Sequence, residues 1–451
     1  MIPVTEAMVQ DTDAWYDAYD PLSVTDKVTF IRDTLDFALT DEFLEETDFS
    51  IMIGELEAQA GPIAIAPVIE KIRDRLLAFH YREIQYLEDI MVIQGLFLGD
   101  LKKTAVAAAY FREDPERFTD YYLTTFRFLV LYGAHDIART QAEAGLLPLR
   151  TSHRLIAGAE EGLAQFLLWD HAQTLYVRRS TDEPLDAAAF VREYRRLWPL
   201  ATDADADFLY QRLINPKPEP NPSWRHDLQN QVSMRSALFW SFLIEMYEQH
   251  HMTFAVAAAL WNTVWRFLQQ HKGSANTVCF PTEAELDRHL GQLTSIVSTH
   301  DDDAFTLLWG LPYVANFLHN QGFTRDDEHV HLKSLATTFQ AKLIQALPHD
   351  LWQYDYVHRW DPPEGTDLLE WNEEIHQFQE SFTAARPESP SLWSLPAENV
   401  PFAFDLRDLA LSTGPMDPFL ETHPQGRRHH GDPKRKSQEK KNRKKSRQKR
   451  H

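Results

Sequence analysis

Three Glu-x-x-His pairs stand in the chain: Glu248/His251, Glu328/His331 and Glu373/His376. Residues three apart share a helix face, so each pair could turn one carboxylate and one imidazole toward the same metal. Two such pairs on separate helices, with two more glutamates, hold a di-iron centre in some four-helix bundles. With 31 Glu and 20 His among 451 residues, chance alone supplies about 1.4 pairs of this spacing. Glu248/His251 also runs into a turn signal, His250-His251-Met252. The spacing therefore decides little, and no catalytic residue, metal ligand or cofactor site is assigned from it. His329 and His331 are two apart and point away from each other on a helix. Asp301-Asp302-Asp303 lacks the alternating ligands and glycine of a calcium loop. It suits a helix start, where acid meets the positive end of the dipole. The sequence has no Walker loop, no G-x-G-x-x-G and no G-x-S-x-G element. Cys279, beside Phe280-Pro281, reads as a packed apolar side chain.

The other chemistry-bearing residues are cations near the C-terminus: Lys434, Arg435, Lys436, Lys440, Lys441, Arg443, Lys444, Lys445, Arg447, Lys449 and Arg450. Residues 427–451 hold 13 Lys/Arg against Asp432 and Glu439, a net +11, which leaves −33 on positions 1–426 for an overall −22. A cationic segment attracts phosphate backbones through counterion release. No aromatic side chain is interleaved, so base stacking is not available and contact with nucleic acid or ribosome is expected to be non-specific. An acidic protein surface, the chain's own included, is an alternative partner, and a solubilising role is another. The pattern also resembles a bipartite nuclear import signal, which would operate in a eukaryote. With nothing apolar after Gly426, the segment is expected to be disordered.

Composition narrows the class. A 43% hydrophobic and 12% aromatic content can fill a sizeable core. One cysteine excludes an intramolecular disulfide and a cysteine-based zinc cluster, which suits a reducing, cytoplasmic compartment. The stretch 1–20 carries no basic start and no long apolar run, so no signal peptide is expected. The longest apolar runs, 237–246 and 254–260, fall short of the ~20 residues of a membrane span.

What must position these groups is a set of helices. Ile84 to Leu98 is apolar near a helical period, and Gly99-Asp100 can close it. Leu101 to Phe111 resumes with small Ala105, Ala107, Ala108 and Ala109, and Pro115 follows. The same order then repeats: Phe118 to Tyr132, a turn at Gly133 to Asp136, then Ile137 to Leu147 and Pro148. A single helical hairpin leaves one apolar face bare, and stacking a second covers it.

The 34-residue period from Gly99 to Gly133, with its order of helix, glycine turn, small-residue helix and proline, resembles a tetratricopeptide repeat over roughly residues 50–150. In that family the turn glycine is followed five residues on by alanine. Ala138 after Gly133 and Ala66 after Gly61 match, whereas Thr104 follows Gly99. The aromatic and Leu-Gly positions of the first helix are mostly replaced, by Met91-Val92 and Thr125-Phe126. The resemblance implies a concave groove that binds a peptide segment of a protein partner. Counting back from each turn glycine, its lining would be Tyr86, Asp89 and Ile93 from one hairpin and Asp120, Leu123 and Arg127 from the next. The same mixed set also fits a solvated face.

Along the rest of the chain, the acidic and aromatic stretch 1–21 reads as a terminus whose rings dock on the first helix. Ser23 or Thr25 would cap one helix, Thr40 the next, and Ser152 a long one through Tyr176. The alternating prolines of residues 215–222 cannot be helical and divide the chain. Helices Val232–Tyr247 and Thr253–Gln270 are apolar nearly all round, as buried helices are. Four more are expected at Glu283–Ser298, Ala304–Asn320, Asp327–Leu347 and Leu368–Thr383. The expected architecture is all-α: a repeat-like domain at 1–215, a proline-rich connection at 216–222, a second helical domain at 223–385, a proline-rich linker at 386–426 and the basic tail. The function it suggests is a non-enzymatic adaptor that holds a protein or peptide partner. The alternative is a helical-bundle metalloenzyme using the Glu-x-x-His pairs.

Overall fold

The computed structural model describes residues 3–155, 158–179, 187–199, 202–214, 232–270, 280–294 and 301–384. All regular structure among them is helical. An N-terminal unit holds α1 (Thr12–Tyr19), α2 (Val24–Thr34), α3 (Asp41–Glu46), α4 (Phe49–Ala60) and α5 (Pro62–Arg75). Two hairpins follow: α6 (Leu77–Phe97) with α7 (Leu101–Glu113), then α8 (Thr119–Leu131) with α9 (His135–Thr151). Next come α10 (Glu161–Arg178), α11 (Ala187–Leu197), α12 (Asp203–Ile214), α13 (Val232–His250), α14 (Phe254–Gln270) and α15 (Glu283–Leu293). The last are α16 (Asp301–Asn320), α17 (Asp326–Ala346), a 3-10 segment at Leu351–His358, and α18 (Leu368–Thr383).

The two hairpins turn in the same way. Gly99 and Gly133 sit at φ +70° and +71°, the left-handed region that glycine enters without a Cβ clash. The Asp100 N–H reaches the Gly95 carbonyl at 2.8 Å, and at the equivalent place in the second hairpin the Ala134 N–H reaches the Leu129 carbonyl at 2.8 Å. These bonds satisfy carbonyls that a helix end leaves open. The same closure recurs at Gly322 between α16 and α17, where the Phe323 N–H reaches the Leu318 carbonyl at 2.8 Å.

The Thr104 position, where the first hairpin departs from alanine, has a local cause. A Cβ on Gly95 would stand 2.5 Å from Thr104 Oγ1, so α6 gives up a side chain where α7 carries a larger one. In the second hairpin the two positions hold Leu129 and Ala138, both fully buried. The bulk has moved to the first helix.

Local signals placed most boundaries. Ser23 and Thr40 accept hydrogen bonds from Asp26 and Phe43 N–H, as N-caps do. Thr282 and Glu285 form a reciprocal capping box at α15. Pro62 starts α5. Ser152 is a correction. It follows the end of α9, which runs through Pro148 to Thr151, and the next helix starts at Glu161. The Ser152 hydroxyl instead donates to Glu116 Oε2 at 3.0 Å and accepts from the Arg154 N–H at 3.1 Å. The N-terminal stretch packs as expected of docked rings. Trp15 is fully buried, with its indole N–H 3.1 Å from Thr34 Oγ1.

The chain then closes on itself. α8 packs on α14, α6 on the 3-10 segment, and α18 on α5. Buried apolar residues from both sides of 216–222 belong to one continuous core. Trp240 and Trp261 lie in it, with Trp261 stacked on Trp265 at 5.1 Å. The connection at 216–222, Cys279, the linker at 386–426 and the basic tail at 427–451 lie outside the described residues. Among the described residues, no helix is long and apolar enough to cross a membrane.

Candidate functional site

The six residues expected to line a groove fall into two environments. Near the middle of α6 and in the first turn of α8, Tyr86 and Asp120 are exposed. Tyr86 meets Tyr121 edge-to-face at 5.8 Å. One turn deeper, Asp89 and Leu123 are half-buried. Asp89 Oδ1 is enclosed and has no hydrogen-bond partner. Burial, and after it the nearby Glu57 charge, pushes the Asp89 carboxyl up to about 7. Burial, together with Tyr86 and Asp89, raises the Tyr121 hydroxyl to about 12. Tyr81 extends this open end along α6, with the Arg117 guanidinium 5.1 Å over its ring. The result is a surface strip of tyrosines and carboxylates.

At the C-terminal ends of the same helices the face is covered by the chain itself. Ile93 is buried. Arg127 forms ion pairs with Asp302, at 2.5 Å, and with Asp303, both in the first turn of α16. Asp303 is also met from α14, by Thr263 Oγ1 at 3.2 Å and Arg266 Nη1 at 3.6 Å. The Tyr356 hydroxyl, on the 3-10 segment, donates to the Asp302 carbonyl at 2.8 Å. Burial works against the Arg127 charge, but the two carboxylates outweigh it and hold the guanidinium above its usual value. For Asp302 burial prevails over Arg127, and the carboxyl stands near 6. Burial and then Asp302 raise Asp301 to about 7. A groove open along its whole length is therefore not what these helices present: Arg127 and Ile93 are internal contacts.

The 3-10 segment completes the cover. The Tyr132 hydroxyl lies 3.1 Å from the Trp352 carbonyl and 3.0 Å from the Gln353 carbonyl. The Arg359 guanidinium donates to the Phe97 carbonyl at 2.8 Å. Phe128 packs against Tyr354 and Tyr356. Sequence reasoning missed this network. One signal was legible: Arg266 is the only charged residue in the apolar run of α14, and a lone cation on a packed helix needs a counterion. Asp302 and Asp303 were read as a helix start, which they are, without the partner across the fold.

The Glu-x-x-His pairs do not converge. Glu248 accepts a hydrogen bond from the Tyr176 hydroxyl, while His251 has left the helix at φ +53° and meets Asp361 at 2.8 Å. Glu328 caps α17 through the Arg325 N–H, and His331 bonds the Pro281 carbonyl at 2.8 Å. Glu373 and His376 both face solvent. No group of three or more His, Cys, Asp or Glu side chains disposed to hold a metal ion occurs among the described residues. Comparison with known protein families, with curated proteins and with solved structures finds no match for the chain.

Proposed function

We propose that the protein is a non-enzymatic helical interaction protein. Its body would hold a segment of a protein partner on the uncovered part of the α6–α8 face, and its Lys/Arg-rich tail would contact nucleic acid or an acidic surface. The observation that carries this reading is the strip of Tyr81, Tyr86, Tyr121, Asp89 and Asp120. The exposed rings of Tyr81 and Tyr86, with the exposed Asp120 carboxylate, suit a cationic peptide better than they suit stability. The shared period of the two hairpins, tetratricopeptide-like in its turns, supports it. So does the division of charge between a −33 body and a +11 tail.

The tail half is tested by fluorescence anisotropy with a labelled single-stranded RNA, comparing the full chain with one ending at Gly426. Neutralising about six phosphates of a single strand gives a log–log salt slope of about −4. A fourfold rise in salt then weakens binding roughly two- to three-hundredfold. Equal affinity of the two chains would remove the tail from nucleic-acid contact. The body half is tested by crosslinking partners to the full chain and to a Tyr86→Ala/Asp120→Ala variant. The expected result is loss of capture with an unchanged melting temperature. Equal capture would remove the strip.

A further inference from the structure

The last described helix packs almost wholly on one neighbour, the 3-10 segment, with a smaller contact to α5. Of the 16 residues of α18, Phe378, Ser381 and Phe382 are buried, and the rest are exposed or half-exposed. Phe382 lies against Phe97 and Trp352, and Phe378 against Trp309. Ser381 Oγ accepts the Trp352 N–H at 2.8 Å. A terminal element that buries few side chains and leans on one neighbour can open locally before the rest of the fold.

One further contact ties α18 down, and it depends on a proton. The His358 side chain, 2% exposed, ends the 3-10 segment with Nε2 2.7 Å from Glu374 Oε1 of α18. Its Nδ1 stands 3.5 Å from Asp355 Oδ1, close enough for attraction between charges but without a formed hydrogen bond. Trp309 of α16 donates its indole N–H to the same Glu374 oxygen at 2.7 Å. The rings of Trp371 and Phe378 close on the imidazole at 5.1 and 4.5 Å. A neutral imidazole has one N–H. If that N–H serves Glu374, a bare nitrogen lone pair faces the Asp355 carboxylate in a site closed to water. The imidazolium has a proton for each side.

We propose that His358 is a proton-operated latch, which when charged holds α18 down over the 3-10 segment and on losing its proton lets it lift. Lifting would bare Phe97, Trp352 and Trp309, the rings that Phe378 and Phe382 cover. Burial opposes the charge on His358, yet Asp355 and Glu374 prevail and keep the imidazole above its usual value. A group whose value is raised in the closed state stabilises that state fully below its open-state value of about 6.5. The stabilisation is lost as pH rises through the closed-state value. The latch is therefore shut in mild acid and loosens as pH rises through the imidazole's raised value.

Other charged or titratable groups around the latch are Arg359, which pairs with Asp355 Oδ2 at 2.8 Å, and Tyr132, whose hydroxyl burial and the Asp355 charge keep neutral. On the far side of the segment, Asp301 and Asp302 stand near 7 and 6. They too loosen the closed form as pH rises, so a pH effect alone does not identify His358.

The experiment is hydrogen exchange of the full chain from pH 5.5 to 8.5, corrected for the intrinsic pH dependence of exchange and read at the α18 amides, in wild type and His358→Gln. Each tenfold preference of the closed state for the charged imidazole appears as about a tenfold loss of protection on deprotonation. Wild type is expected to lose protection as pH rises, and His358→Gln to be lower at pH 5.5 and to lose far less. A packing role alone would lower protection in the variant and leave the slope unchanged, which overturns the latch. So does wild-type protection that stays flat. An NMR titration of His358 in the wild-type chain needs no variant. A midpoint above 6.5 that falls in Glu374→Gln supports the latch, and one at or below 6.5 overturns it.

Discussion

The two ends of the α6–α8 face differ although the same two helices build both. Tyr86 and Asp120 occupy equivalent positions of the two hairpins, as do Ile93 and Arg127, two turns further along each helix. The first pair meets solvent. In the second, Ile93 is buried and Arg127 is paired with the first turn of α16. Equivalent repeat positions thus do not share a role. What the C-terminal half covers becomes core and ion pairs, and what it leaves uncovered remains a surface of tyrosines and carboxylates. The difference teaches that a repeat surface is defined as much by what closes over it as by its own residues. Substitutions at the covered end should change stability, and those at the open end should not.

The largest effect is expected at Arg127. Arg127→Ala leaves Asp302 and Asp303, whose side chains are 6% and 4% exposed, without this counterion. Arg127 is itself a third exposed, so the loss is set below that of a fully buried pair, at about 2–3 kcal/mol by chemical denaturation. An unchanged denaturation midpoint would mean that the cover is loose. Next is Ala138→Leu, at a fully buried position where α9 packs on α8. Overpacking there should cost about 1–3 kcal/mol, and no shift in Tm would show that the hairpin contact yields.

Asp89 lies at the border between the two ends. Its carboxyl, raised to about 7, favours the fold below its ordinary value, and that contribution is lost as pH rises through 7. Asp89→Asn should therefore stabilise by roughly 1–2 kcal/mol at pH 8 and by little at pH 4.5. Destabilisation at pH 8 would mean that the ionised carboxylate is held by a favourable contact. The smallest effect belongs to Tyr86→Ala, expected within about 0.5 kcal/mol of wild type. A larger loss would place Tyr86 in the core rather than on the strip.

How much of this was legible follows from the range of each interaction. The turns at Gly99 and Gly133, the caps at Ser23 and Thr40 and the bounds of α18 rest on residues within a few positions of each other, and sequence displays them. Ser152 shows the limit of that reading, because a hydroxyl shortly before an apolar run looks the same at the end of one helix as at the start of another. The 3-10 segment Leu351–His358 was not legible, having no helical period and being held by contacts to α6, α16 and α18. The fate of Arg127 was not legible either, since its partners Asp302 and Asp303 stand far along the chain. The candidate site was thus readable in its composition and unreadable in its accessibility.

The claim that one end of the face is open and the other closed by the chain's own 3-10 segment is tested most directly by hydroxyl-radical footprinting of the full-length protein. Tyr86 is 49% exposed and Tyr356 fully buried, so Tyr86 should be oxidised at least about tenfold faster than Tyr356, and Arg127→Ala should raise the Tyr356 rate while leaving Tyr86 unchanged. Oxidation of Tyr356 and Tyr132 at the rate of Tyr86 in the wild-type protein would contradict it.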